Sequence, residues 1–312
     1  MKNTNADRIM QEVGKVILGK DECIRQVMTA ILAGGHVLIE DIPGVGKTSM
    51  ALAFAKAMSL KQNRVQFTPD VLPSDITGFS MYIKETEKFM YQPGAVMCNL
   101  FLADEINRTS AKTQSALLEV MEEGTVTVDG VTRKVPDPFV VIATENPIES
   151  AGVFPLPEAQ LDRFLMKLSM NLPDREEELR ILELYMEEDP LQSLVSVVSP
   201  KELLEARREA AKVFVHPCIR EYMVQIVEAT RSAEGILAGV SPRGTLGLLR
   251  CVKAYAYLQG RKYCLPDDVR ILAVPVLAHR LVCGMGAFAG TNAGRIEAIL
   301  SSIPVPTERF EP

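Results

Sequence analysis

Two hydrophobic rhythms alternate along roughly the first two-thirds of the chain. Short apolar runs bounded by polar or turn residues are separated by longer stretches with apolar residues at helical spacing. That alternation is the signature of a parallel sheet covered on both faces by helices. The expected strands are His36–Glu40, Arg64–Thr68, Asn99–Ala103, Phe139–Ala143 and Phe164–Leu168. The helices between them include Thr48–Leu60 and Ala111–Glu123. The latter sets Ala116, Leu117, Val120 and Met121 on one face and stops at Gly124. A charged helix over Asp174–Glu188 closes this part. Two segments break the rhythm: Ser80–Gln92 reads as a hairpin around Lys84–Lys88, and Thr125–Val135 as a strand pair around the two-residue turn Asp129-Gly130.

After Pro190 the strand signal fades. Pro200–Val213, Cys218–Ser232, Thr245–Gln259 and Pro266–Leu277 all read as helices, two of them opened by proline. The expectation is an α/β core over residues 1–193 followed by a small all-helical domain over 194–312. A length of 312 residues agrees with about two domains of roughly 150 residues each.

Composition narrows the class. Hydrophobic residues at 47% and charged residues at 24% are ordinary globular values and exclude disorder as the dominant state. Lys+Arg 34 against Asp+Glu 40, a net charge of −6, argues against coating nucleic acid through bulk charge, while a local basic patch stays open. Met1–Lys20 lacks the continuous apolar core of a secretory leader, and no apolar run approaches the roughly 20 residues that span a bilayer. Six cysteines without a CxxC pair suit free thiols in a reducing compartment, and three scattered histidines offer no zinc site. The expected location is the cytoplasm.

The strongest chemical signal is Pro43-Gly44-Val45-Gly46-Lys47-Thr48, followed by Ser49, between the strand His36–Glu40 and a helix. Glycines let backbone N–H groups turn inward onto phosphates, a lysine reaches the β and γ oxygens, and a hydroxyl ligates Mg²⁺. The following helix points its positive end at the anion. The full phosphate-loop pattern begins with glycine, where this chain has Asp41. A second signal is the apolar run Leu100-Phe101-Leu102-Ala103 ending in Asp104-Glu105. Beside a phosphate loop, Asp104 reaches the Mg²⁺ shell and Glu105 can take a proton from an attacking water. A third is Val140–Ala143 running into Thr144-Glu145-Asn146-Pro147. Asn146 there either orients the water or γ-phosphate or simply forms a turn before proline; the residues alone leave both open. Arg163 stands just before the last strand. Arg243 stands at the start of a helix, where a cation opposes the helix dipole and so points to a nearby anion.

These motifs run in an order that resembles one family. Phe67–Gly78, Leu102–Arg108, Lys112–Glu119, Ala143–Pro147, Phe154–Phe164, Gly239–Arg243, Pro266–Val269 and His279–Leu281 together are similar to the MoxR family of AAA+ ATPases. The resemblance covers nearly the whole chain. It implies a P-loop αβα core with a parallel sheet, a C-terminal helical lid, ATP and Mg²⁺ as ligands, and a ring, usually a hexamer. By that likeness Asn146 matches sensor 1, Arg243 sensor 2 and Arg163 the arginine finger that reaches a neighbour's γ-phosphate. The two hairpins match insertions that face the pore in related machines. Ile17, Leu18 and Gly19, within Val16–Lys20, match the stretch that contacts adenine. Two positions depart from the pattern: Asp41, and Glu145, where the family often has glutamine. Family members act as chaperone-like factors on client proteins, often with a partner bearing a von Willebrand factor A-type domain. The competing readings are a nucleic-acid motor or loader and the ATPase subunit of a magnesium chelatase. The first would need a basic pore surface, and the chain offers only Lys84, Lys88, Arg133 and Lys134 in its hairpins.

Overall fold

A computed structural model describes residues 5–147, 153–186, 189–284, 291–307 and 310. The chain opens with two helices, α1 (Asn5–Gly14) and α2 (Asp21–Leu32), and enters the sheet through β1 (Val37–Glu40). There follow α3 (Lys47–Ala57), β2 (Gln62–Gln66), α4 (Pro73–Thr77) and the hairpin β3 (Gly78–Ile83)–β4 (Lys88–Pro93). Next come β5 (Leu100–Asp104), α5 (Ala111–Glu123), the hairpin β6 (Thr125–Val128)–β7 (Val131–Lys134), and β8 (Val140–Glu145). The short helix α6 (Glu158–Leu161), β9 (Met166–Leu168) and α7 (Arg175–Leu184) complete this part. The remainder is α8 (Pro190–Ser193), α9 (Pro200–Ala211), α10 (Pro217–Ser232), β10 (Ile236–Ala238), α11 (Pro242–Leu258), α12 (Pro266–Leu277), β11 (Val282–Cys283) and α13 (Asn292–Ser302).

Five strands form one parallel sheet in the order β2-β5-β8-β1-β9. Alternation along each strand sends its side chains into two separate cores. Val37, Ile39, Leu100, Leu102, Val140 and Ile142 pack with α2, α3 and the C-terminal helices, whereas Leu38, Phe101, Ala103, Val141 and Ala143 pack with α5. The αβα expectation therefore holds.

Several boundaries differ from the sequence reading, each for a local reason. β2 runs Gln62–Gln66 rather than Arg64–Thr68. It is an edge strand with alternating half-exposed residues, so its polar start pairs with Leu100 and Phe101 without any hydrophobic signal. The charged helix is capped by Asp174 and runs to Leu184, and the last two residues of the expected span, 187 and 188, lie outside the described residues. The C-terminal part is helical except for the antiparallel pair β10–β11, whose strands are too short to show a periodicity. The sequence reading also did not anticipate α1, α2 and α13. Both hairpins form as expected. At the second, Asp129 (φ 52°) and Gly130 (φ 74°) take the left-handed conformations that a tight two-residue turn requires.

Among the described residues no helix is long and apolar enough to cross a membrane. All six cysteines are free.

Candidate active site

The loop after β1 lies at the carboxyl end of the sheet, where open parallel sheets bind their ligands. Gly44 and Gly46 have φ of 86° and 92°, the conformations that turn successive N–H groups toward one point. Gly46 caps α3 without a side-chain hydrogen bond, which leaves the N–H groups at Lys47–Ser49 available for an anion. The Lys47 side chain is buried, and its Nζ donates to the carbonyls of Asp41 and Glu145, the latter at 3.1 Å. The amine is thus held in the loop by two strand ends.

Asp104 ends β5 within reach of the loop. Its Oδ2 accepts from the Thr48 hydroxyl at 3.1 Å and from Arg64 Nη2 at 2.8 Å; its Oδ1 accepts from the Thr144 hydroxyl at 2.7 Å. Two hard oxygen donors, Thr48 and Asp104, therefore converge, a donor set that fits Mg²⁺. Among the described residues no group of three or more His, Cys, Asp or Glu side chains could hold a metal alone. A cation here would take its other ligands from phosphate oxygens and water, as Mg²⁺ does.

Glu105 occupies a left-handed turn at φ 55°. Its N–H donates to Thr144 Oγ1 at 2.9 Å, and its Oε2 accepts from Gln66 Nε2 at 2.8 Å and Arg108 Nη1 at 3.0 Å. Asn146 is buried at the end of β8, its carbonyl taking a hydrogen bond from Asn107 at 3.3 Å. A cavity of about 400 Å³ beside the loop is lined by Ile17, Leu18, Gly44, Val45, Gly46 and Ser49, together with Met170, Leu182 and Tyr185. Gly19 flanks it at φ 70°, where any Cβ would collide with Glu177.

The two departures from the family pattern sit in different surroundings. Asp41 turns its carboxylate away from the loop: Oδ2 accepts from Ser169 Oγ and the N–H groups of Met170 and Asn171, at 2.8, 2.8 and 2.7 Å, and Oδ1 accepts from Ile42 N. Burial opposes its ionisation, but those hydrogen bonds outweigh it and hold the carboxyl below the usual range. Glu145 is the opposite case. Burial pushes its pKa up to about 7, with Lys167 pulling it down and Glu40 pushing it up.

Arg163 and Arg243 are elsewhere. Arg163 Nε lies 3.2 Å from Glu122 Oε2, and Arg243 Nη2 pairs with Glu122 Oε1. They line a cavity of about 220 Å³ with Gly34, Gly35, His36 and Leu165, residues at the amino ends of β1 and β9. β1 spans four residues, roughly 13 Å at 3.3 Å per residue. The phosphate loop follows its far end, and the two cavities share no lining residue. The structure thus gathers the loop, Thr48, Asp104, Glu105, Asn146, Ile17 and Leu18 at one end of the sheet and leaves both arginines at the other. Sequence reading gave no role to Arg64, Gln66, Arg108, Thr144 or Glu122. The signal for Gln66 and Thr144 was positional: they stand at the carboxyl ends of β2 and β8, the two neighbours of β5.

Residues 36–166 match the family described as ATPase family associated with various cellular activities (AAA), and residues 228–302 match the AAA lid domain. The protein is thus an AAA+ ATPase with a lid. The chain is 48% identical to YeaC of Bacillus subtilis, over 97% of this chain and 95% of that one. It is 40% identical to Chaperone MoxR1 of Mycobacterium tuberculosis, over 96% and 82%. The crystal structure of a "putative ATPase" from Cytophaga hutchinsonii superposes with a TM-score of 0.88 at 37% identity, covering 97% of this chain and 95% of that one. The chain belongs to the MoxR family of AAA+ ATPases.

Proposed function

We propose that the chain is a Mg²⁺-dependent ATPase whose turnover drives remodelling, maturation or assembly of a client protein in the cytoplasm. We take residues 1–193 as the nucleotide-binding core and 194–312 as the lid. Residues 43–49 cradle the phosphates, Lys47 neutralises the β and γ oxygens, and Ile17, Leu18 and Gly19 flank the base. Thr48 and Asp104 hold Mg²⁺, which when bound neutralises charge developing on the phosphate oxygens. Glu105 accepts a proton from the attacking water while Asn146 orients it.

Arg163 and Arg243 serve the nucleotide of the next subunit in a ring of six. The observation that carries this reading is their position at the opposite end of the sheet from their own phosphate loop. A protein client, with a partner bearing a von Willebrand factor A-type domain, is favoured over nucleic acid by the surface of the β3–β4 hairpin. Its exposed side chains include Phe79, Met81, Tyr82, Phe89 and Met90, and Phe89 is 74% exposed. An apolar ribbon suits polypeptide better than phosphate.

The test separates binding from turnover. Lys47→Ala should weaken ATP binding. Glu105→Gln should bind ATP, hydrolyse it at least about a hundredfold more slowly, and retain its client on affinity capture with ATP. A wild-type rate for Glu105→Gln overturns the assignment.

A further inference from the structure

Glu122 occupies a position that helix electrostatics disfavours. It lies in the last turn of α5, where the helix dipole repels an anion, and that turn holds no basic residue. Its partner Arg243 lies in the first turn of α11, where the dipole repels a cation. Ser241, the residue before that helix, makes no side-chain cap and turns instead to Asp162 Oδ2 at 3.3 Å. Two misplaced charges from different parts of the chain thus meet, and Arg163 joins them on the second carboxylate oxygen. One carboxylate therefore receives two guanidinium groups, each on its own oxygen, as a phosphate would.

The surroundings make this more than a surface ion pair. The cavity is lined by Arg163, Arg243, Arg250 and Arg280 and by the carboxylates of Glu122 and Asp162, so guanidinium groups outnumber carboxylates four to two among its lining residues. Arg280 is committed to Asp162, at 2.7 Å, and to the carbonyls of Phe164 and Val276. Arg163 and Arg243 are only partly covered, at 29% and 44% side-chain exposure, as is Glu122 at 34%. The helix end bearing Glu122 is pinned from behind. His36 Nδ1 accepts from Val141 N at 3.0 Å, so its Nε2 donates to the Met121 carbonyl, also at 3.0 Å. The backbone next to Glu122 is fixed while its carboxylate faces an open, cationic cavity.

We propose that Glu122 is an internal counter-anion, which holds Arg163 and Arg243 together as a clamp in the free subunit and yields them to the terminal phosphate of a nucleotide on an adjoining copy of this chain. This rests on the reading of Arg163 as acting between subunits. The carboxylate keeps the clamp assembled, and it competes with the incoming phosphate. It also adds a negative charge where a polyanion must dock. Glu122 touches no nucleotide in this scheme; it sets how readily the arginines are given up, and so the protein concentration at which rings become active.

The test measures specific ATPase activity of the full chain against protein concentration for wild type, Glu122→Gln and Glu122→Ala. Sedimentation with a non-hydrolysable ATP analogue follows assembly in parallel. Both variants should reach half-maximal activity, and assemble, at a concentration at least about fivefold lower, with plateau rates within about twofold of wild type. A midpoint that stays put or rises overturns the proposal, as does a plateau that falls tenfold, which would mean the carboxylate is needed in the working ring. A mixture of Arg163→Ala with Lys47→Ala, run alongside, separates the two levels. Without recovered activity, the intersubunit reading fails and Glu122 with it; recovered activity with an unmoved midpoint removes only the role of Glu122.

Discussion

At the carboxyl end of the sheet Lys47, Asp104 and Glu105 are all hydrogen-bonded within a single chain. Lys47 donates to two carbonyls, Asp104 takes hydrogen bonds from Thr48, Thr144 and Arg64, and Glu105 takes them from Gln66 and Arg108. Such a network is preorganised to bind its ligand. At the amino end four arginines crowd one small cavity that, among the described residues, is lined by only two carboxylates. The first arrangement suits the nucleotide-binding half of a site, which one subunit supplies by itself. The second suits half of a site, finished by an anion from outside.

The largest effect would come from breaking the amino end. An arginine supplied to a neighbour's nucleotide is worth about 10³–10⁵ in rate in well-studied nucleotide hydrolases. Arg163→Ala should therefore bind ATP near normally yet lose at least about a thousandfold in turnover. Wild-type specific activity should rise with protein concentration. Mixing Arg163→Ala with Lys47→Ala should restore part of the rate, because an intact loop then sits beside an intact arginine. Concentration-independent activity with no recovery on mixing would mean that Arg163 serves only its own chain, as a partner for Glu122.

How far each end was legible in the sequence follows the same division. The carboxyl end is built from contiguous motifs, a loop and two strand ends, each legible locally before the parallel sheet brings them together. The glycines, Lys47, Thr48, Asp104 and Glu105 could be read in order. Their supports could not: Gln66 and Arg64 lie on an edge strand whose polar pattern hid even its starting residue. The amino-end cavity joins α5, the start of β9 and the first turn of α11, segments up to 121 residues apart. No local pattern predicts that Glu122 will meet Arg243. The one hint was Arg243 in a first helical turn, which implied an anion without saying which. The same limit explains β10–β11, since strands of three and two residues carry no rhythm.

Within the carboxyl end, Glu145 is a buried carboxyl, and pH exposes the cost of charging it. Its folded pKa of about 7 lies above the ordinary 4.5 because burial disfavours the charged form. The folded state therefore holds a proton that the unfolded chain releases between those values. Stability from this group is fully present below pH 4.5 and is lost as pH rises through 7. Glu145→Gln, which cannot ionise, should be more stable than wild type by up to about 3 kcal/mol at pH 8, narrowing to less than about 0.5 kcal/mol at pH 4.5. Urea unfolding of the nucleotide-free protein at the two values measures this. An equal gap at both would show that the carboxyl is ordinary and that the network tolerates its charge.

Asp41 offers the finest discrimination, because here no effect on nucleotide affinity is the informative result. Its carboxylate stands one residue past β1, close in sequence to the phosphate loop, yet it faces the Ser169–Asn171 segment after β9. If it faced the phosphates at about 5 Å, unit charges at an effective dielectric of about 20 would repel by roughly 3 kcal/mol. Its neutralisation would then tighten ATP binding by about a hundredfold. Turned away and hydrogen-bonded, it should matter little: Asp41→Asn keeps the shape, removes the charge, and should shift the ATP dissociation constant by less than about threefold. The cost should fall on stability instead, by about 1–2 kcal/mol, since an amide cannot accept every N–H that the carboxylate takes. Nucleotide titration and thermal unfolding of this variant give both numbers, and a hundredfold tightening would move Asp41 from the loop's scaffold to its mouth.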